Sequence, residues 1–113
     1  MKLIMIIGGM AQGKHAWAAQ YPNFVRVDDL AEQIRAAVQA GRDPIAEGNA
    51  AVRAIIAGQQ DTVLIYPEVG SGVVPMDPKE RAWREAVGRV GCRIAAEADE
   101  VYRMVAGIAQ RIK

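Results

Sequence analysis

The sequence predicts an α/β fold, a three-layer domain built on a mostly parallel sheet. Three observations predict it. An unbroken apolar run, Leu3-Ile4-Met5-Ile6-Ile7, has the composition of a central strand buried on both faces. Directly after it comes Gly8-Gly9-Met10-Ala11-Gln12-Gly13-Lys14, whose G-x-x-x-x-G-K spacing is that of a phosphate-binding loop. Beyond the loop, short apolar runs alternate with segments of helical periodicity, the order produced by βαβ units.

Each element follows from local chemistry. Lys14 to Gln20 carries Ala16, Trp17, Ala18 and Ala19 and reads as a helix stopped before Pro22. Phe24-Val25-Arg26-Val27 is a short second strand ending in Asp28-Asp29. Leu30, Ile34, Ala37 and Val38 then share one helical face, with Asp29 and Glu32 at its start and Gly41 at its stop. Asp43-Pro44 opens the next helix, since proline suits the first helical position, and Ile45, Val52, Ile55 and Ile56 line it until Gly58. Thr62 to Tyr66 is the third strand, followed by the Gly- and Pro-rich stretch from Pro67 to Pro78. Asp77-Pro78 starts the longest helix, with Ala82, Val87, Val90, Ile94 and Ala98 expected to face inward. Gly88 and Gly91 lie inside it, marking a bend or a close contact. Val101 to Val105 is a fourth strand, and a short tail follows.

The 113 residues form one domain, 1–113, with a P-loop nucleotide-binding architecture. Half are hydrophobic and a quarter charged, which excludes a disordered chain. Lys and Arg number 14 against 13 Asp and Glu, so no global field draws the chain to nucleic acid or to a membrane, and neither is an expected partner. The basic residues of the last third have acids interleaved and read as a solvated helix face. The single cysteine, Cys92, excludes an internal disulfide and is expected to be a buried apolar thiol. The Leu3–Ile7 run is too short for a signal peptide, and a cytoplasmic location is expected.

In open α/β sheets ligands sit at the carboxyl ends of the strands, where Gly8 to Lys14, Asp28-Asp29 and Glu68 to Pro75 should converge. The residues Gly8, Gly9, Met10, Ala11, Gln12, Gly13, Lys14 and His15 form the nucleotide-binding candidate. Glycines let backbone N–H groups turn toward a phosphate, Lys14 adds a mobile charge, and the helix start adds its positive end. The plainer reading is a strand-to-helix turn. His15, the only histidine, stands where a hydroxyl normally ligates magnesium. Three roles are open to it: a neutral residue replacing an unneeded hydroxyl, a donor to a nucleotide phosphate, or a nucleophile forming a phosphoramidate. Asp28 is the metal candidate, while Asp29 is equally placed to cap the following helix.

The second half resembles the adenosylcobinamide kinase / adenosylcobinamide-phosphate guanylyltransferase family of cobalamin biosynthesis. Glu68, Val69, Gly70, Gly72, Val74 and Pro75 match that family's E-V-G-x-G-x-V-P loop. Arg81, Trp83, Arg84 and Glu85 stand in for R-x-F-R-D, Gly88 for the next glycine, and Ala98, Asp99, Glu100 and Val101 match A-D-E-V. Val105, Gly107 and Lys113 match the closing strand and tail, and the glycine-rich loop is similar to the family's G-G-x-x-S-G-K-S. The resemblance implies ATP or GTP as the nucleotide, Lys14, Asp28 and Glu68 as catalytic residues, and Glu68, Gly70, Arg81 and Arg84 as substrate contacts. It also implies a corrinoid acceptor and a homo-oligomer, since the family is trimeric. Three departures stand out. Pro67 and Gly91-Cys92 replace the family's Asn and Asn-Gln, and His15 replaces the hydroxyl, which leaves magnesium one oxygen ligand short. The segment carrying the family's guanylyl-accepting histidine is missing, so guanylyl transfer is expected to be lost. The alternative is a non-catalytic nucleotide- or corrinoid-binding protein with a regulatory or assembly role.

Overall fold

The computed structural model describes residues 1–69 and 75–113. Gly70, Gly72 and Val74, singled out above, lie outside the described residues. The elements run β1 (Leu3–Gly8), α1 (Lys14–Ala18), β2 (Val25–Val27), α2 (Leu30–Gln39), α3 (Pro44–Ala57), β3 (Thr62–Pro67), α4 (Pro78–Glu97), β4 (Glu100–Val105) and β5 (Ile108–Arg111). The sheet order is β2-β3-β1-β4-β5. All neighbours are parallel except β4 and β5. The fold is therefore α/β with a mostly parallel sheet, as the apolar run and the alternation predict.

β1 is central, and its apolar residues are buried on both faces because helices cover both. Leu3 and Met5 join Leu64, Tyr66 and Val101 beneath α2, α3 and α4. Ile4 and Ile6 join Val63, Ile65 and Met104 on the opposite face. That second layer is thin. It consists of α1, with Ala18 buried, and an aromatic group in which Trp17 contacts Tyr21 and Tyr102, and Tyr21 contacts Phe24. Ring centroids there are 4.4–5.6 Å apart, within the range of favourable aromatic pairs. Trp83 is also a packing residue. Its Nε1 donates to Ala31 O at 2.9 Å, and the Arg35 guanidinium lies 3.9 Å over its ring.

The helix starts obey their sequence signals unevenly. Asp43 Oδ1 accepts from Ile45 N and Ala46 N, and Asp77 Oδ1 accepts from Lys79 N, both ahead of an N1 proline. Asp29 occupies the cap position of α2, but its side chain caps nothing and instead accepts from Gln33 Nε2 at 3.2 Å. The capping role considered for Asp29 is thus corrected.

The tail is the second correction. Residues 108–111 form β5, which turns back on β4 through Ala106 and Gly107, with φ of 50° and 78°. Two left-handed residues in a two-residue loop are what a tight hairpin of twisted strands demands. Ile108, Ala109, Gln110 and Arg111 are two apolar residues followed by two polar ones, with no period-2 alternation to separate a strand from a tail.

On α4 the buried set is Ala86, Val87, Val90 and Ile94. Ala82 is only half-buried, and Ala98 is buried as the residue just past the helix. The two α4 glycines part company. A Cβ on Gly91 would stand 3.0 Å from Tyr66 Cε2, so Gly91 marks a close contact with the ring whose hydroxyl donates to Val87 O at 2.6 Å. A Cβ on Gly88 would meet nothing within 4 Å. Gly88→Ala is accordingly expected to raise stability by about 0.5–1 kcal/mol, through helix propensity alone. A higher urea midpoint at unchanged m-value is the measurement that checks it.

Candidate nucleotide-binding site

The parallel register brings the strand ends together. Gly8 pairs with Pro67 on one side and with Met104 on the other, so the loop after β1, Glu68 after β3 and the end of β4 share one sheet edge. In the loop Ala11 and Gly13 have φ of 58° and 89°. At Gly13 this left-handed geometry immediately precedes α1, and a side chain there would be strained.

Lys14 curls back over the loop. Its Nζ donates to Gly8 O at 2.6 Å and to Gly9 O at 3.0 Å. Partial burial lowers its pKa, and the Glu68 carboxylate works against that shift. Gly8 O also accepts from Glu68 N at 3.0 Å, which ties the β3 exit to the loop. Glu68 Oε2 accepts from Arg103 Nε at 3.0 Å. Lys14, Glu68 and Arg103 thus form an alternating charge series at the sheet edge. Arg103 was not among the sequence-based candidates, because in sequence it is one polar residue in a half-exposed strand.

The loop is braced from the far end of the chain. Gln12 Oε1 accepts from Ala106 N at 2.5 Å, and Gln12 O accepts from Gly107 N at 3.1 Å. Both donors belong to the β4–β5 turn. Met10, by contrast, is almost fully exposed.

His15 and Asp28 also meet. His15 Nε2 is 3.4 Å from Asp28 Oδ2, with both side chains about half-exposed. This distance lies beyond the usual range of an N–H···O hydrogen bond. Among the described residues no group of three or more His, Cys, Asp or Glu side chains is placed to hold a metal. Magnesium favours an all-oxygen octahedron, and an imidazole beside a single carboxylate does not fit it.

The remaining substrate candidates stand on α4. Arg81 Nη1 donates to Pro75 O at 3.0 Å and Met76 O at 2.7 Å, so it fastens the chain entering the helix. Arg84 follows on the same helix and is half-buried. An apolar hollow of about 240 Å³ opens beside Glu68, between the sheet and α4. Met5, Tyr66, Val87, Gly91 and Cys92 are among its walls. Cys92 is exposed there, which corrects the expected burial of its thiol. Burial raises the Tyr66 phenol far above its usual pKa, so it stays a neutral donor.

Comparison with known proteins bears on this edge directly. The family model described as cobinamide kinase / cobinamide phosphate guanyltransferase matches residues 19–112. The chain belongs to this family. The match begins after the phosphate loop and takes in Asp28, Glu68, Arg81, Arg84 and Arg103. The bifunctional adenosylcobalamin biosynthesis protein CobU of Salmonella typhimurium is 49% identical over 51 residues, 45% of this chain and 28% of the relative. Its counterpart in Escherichia coli is 41% identical over 69 residues, 58% of this chain and 38% of the relative. The chain thus matches well under half the length of these curated relatives. None of its described helices is long and apolar enough to cross a membrane.

Proposed function

We propose that this protein binds ATP or GTP on the loop from Gly8 to His15 and phosphorylates a hydroxyl of a corrinoid precursor in cobalamin biosynthesis, without guanylyl transfer. The observation that carries the reading is Lys14, held inside a strand–loop–helix turn by two loop carbonyls with Glu68 adjoining. On nucleotide binding its ammonium exchanges those carbonyls for phosphate oxygens, stronger acceptors because they are charged. Loop amides and the start of α1 add further donors. As the phosphoryl group passes from the nucleotide to the acceptor oxygen, Lys14 neutralises charge on the transferring oxygens. Glu68 accepts a hydrogen bond from the acceptor hydroxyl and so orients it. Loss of guanylyl transfer is supported by the histidine count: one, in the phosphate loop.

The pairing of His15 with Asp28 favours a second reading, a non-catalytic nucleotide- or corrinoid-binding protein that regulates or assembles with other members of the pathway. Calorimetric titration with GTP and ATP, in magnesium and in EDTA, followed by an assay for cobinamide-dependent formation of ADP or GDP, separates the two. Binding with turnover supports the kinase. Binding without turnover supports the second reading, and no binding of either nucleotide overturns both.

A further inference from the structure

We infer that Arg103 is a positioning residue of the phosphate loop, holding the Glu68 carboxylate aside so that Lys14 stays open to an anionic ligand. The inference starts from the backbone. Glu68 N donates to Gly8 O at 3.0 Å, which tethers the carboxylate at the end of β1. Arg103 stands on β4 opposite Ile7, one residue before that end. Its Nε donates to Glu68 Oε2 at 3.0 Å. Among the described residues it is the only cation within ion-pair distance of this carboxylate.

Lys14 is where the carboxylate goes if that restraint is lifted. An ammonium has three N–H donors, and Gly8 O and Gly9 O take two of them. Burial lowers the Lys14 pKa, and Glu68 is the one charged group, among the described residues, that opposes the shift. A carboxylate seated on the third donor cancels the charge of the ammonium and takes the place of a phosphate oxygen. With Arg103 in place, two cations face one acid, and the sheet edge keeps a surplus positive charge for an anion. The side chains of Arg103 and Glu68 are partly exposed, so their pairing adds little to folding stability. Its value lies in where it holds the carboxylate. The consequence for ligand binding rests on the nucleotide reading above, whereas the consequence for Lys14 does not.

The first test uses the ligand-free protein. In [13C]lysine-labelled protein the Lys14 Cε signal, assigned with Lys14→Ala, is titrated from neutral to alkaline pH. Arg103→Met should raise the Lys14 midpoint, because the freed carboxylate stabilises the ammonium. In the Glu68→Gln background the same change should raise it much less, since only the loss of a neighbouring positive charge remains. The second test is calorimetry with GTP and ATP. Arg103→Met should weaken nucleotide binding by about fivefold, the upper end of what a partly exposed ion pair contributes. Arg103→Lys should recover most of that loss, because an ammonium can also make a single N–H···O contact. Adding Glu68→Gln to Arg103→Met should recover it fully, whereas an arginine that touched phosphate itself would show no such rescue. A Lys14 midpoint that Arg103→Met moves equally with and without Glu68 would overturn the inference. So would a loss of affinity that Glu68→Gln leaves in place. If the unaltered protein binds neither nucleotide, the nucleotide reading fails and the Lys14 titration alone decides the role of Arg103.

Discussion

Lys14→Ala is expected to weaken nucleotide binding by about 10–100-fold, the value of one or two hydrogen bonds to a charged group. Any phosphotransfer should fall further, by about 10²–10³-fold, because the ammonium meets charge that develops only in the transition state. The structure separates this effect from unfolding. Lys14 is half-buried, and its two partners are loop carbonyls, one of which keeps a second donor in Glu68 N. Loss of the ammonium therefore leaves the core untouched, and the thermal midpoint should move by no more than a few degrees. Lys14→Met preserves the aliphatic stem and should behave like alanine in calorimetry. If Lys14→Met binds nucleotide as the unaltered protein does, the loop is only a strand-to-helix turn.

The largest expected effect on stability lies where α3 crosses α4. Gly48 is buried in the middle of α3, and a Cβ there would stand 2.5 Å from Val90 Cγ2 and 3.2 Å from Ile34 Cδ1. Both neighbours are fully buried and cannot swing aside. Gly48→Ala gains about 1 kcal/mol of helix propensity but forces overpacking of about 1–3 kcal/mol, and a net loss is expected. Val90→Ala opens a cavity and should cost about 2–3 kcal/mol. The same volume is at issue in both, so the double variant should be more stable than the sum of the two losses by at least about 1 kcal/mol. Urea denaturation of the four proteins in the cycle measures that coupling, and strict additivity would mean that the helices part rather than interlock.

Gly48 also shows what the sequence alone conceals. As a helix interior glycine it reads as a weakness, and only the approach of α4 explains it. Where one-dimensional signals are strong, the sequence is legible. The five-residue apolar run fixes β1, and Asp-Pro pairs fix the starts of α3 and α4 to the residue. The glycine-rich loop falls between strand and helix as its spacing requires. Glu68 comes out beside the loop because β1 and β3 end level with each other, while Asp28 follows β2, which stops earlier, opposite Leu64. Other features depend on partners far away in the chain. Arg103 joins the site only through β4 lying beside β1, and β5 exists only because a hairpin turn returns it to β4. Cys92 reads as core by residue type, yet its place on α4 faces the mouth of a hollow. Tyr102 differs from these: its hydroxyl donates to Glu100 two residues back on β4, and its pKa is pushed up to about 12.

The bond between Gln12 and the β4–β5 turn spans 94 residues of sequence. Closing so long a stretch of chain is among the slower steps of folding, since its entropy is spent before any contact rewards it. During synthesis β1 and its loop are made before Ala106 and Gly107, with every helix of the fold in between or beside them. A growing chain can therefore assemble its helices early and still lack the brace on the glycine-rich loop. The brace on the loop is complete only once the turn that supplies it has formed.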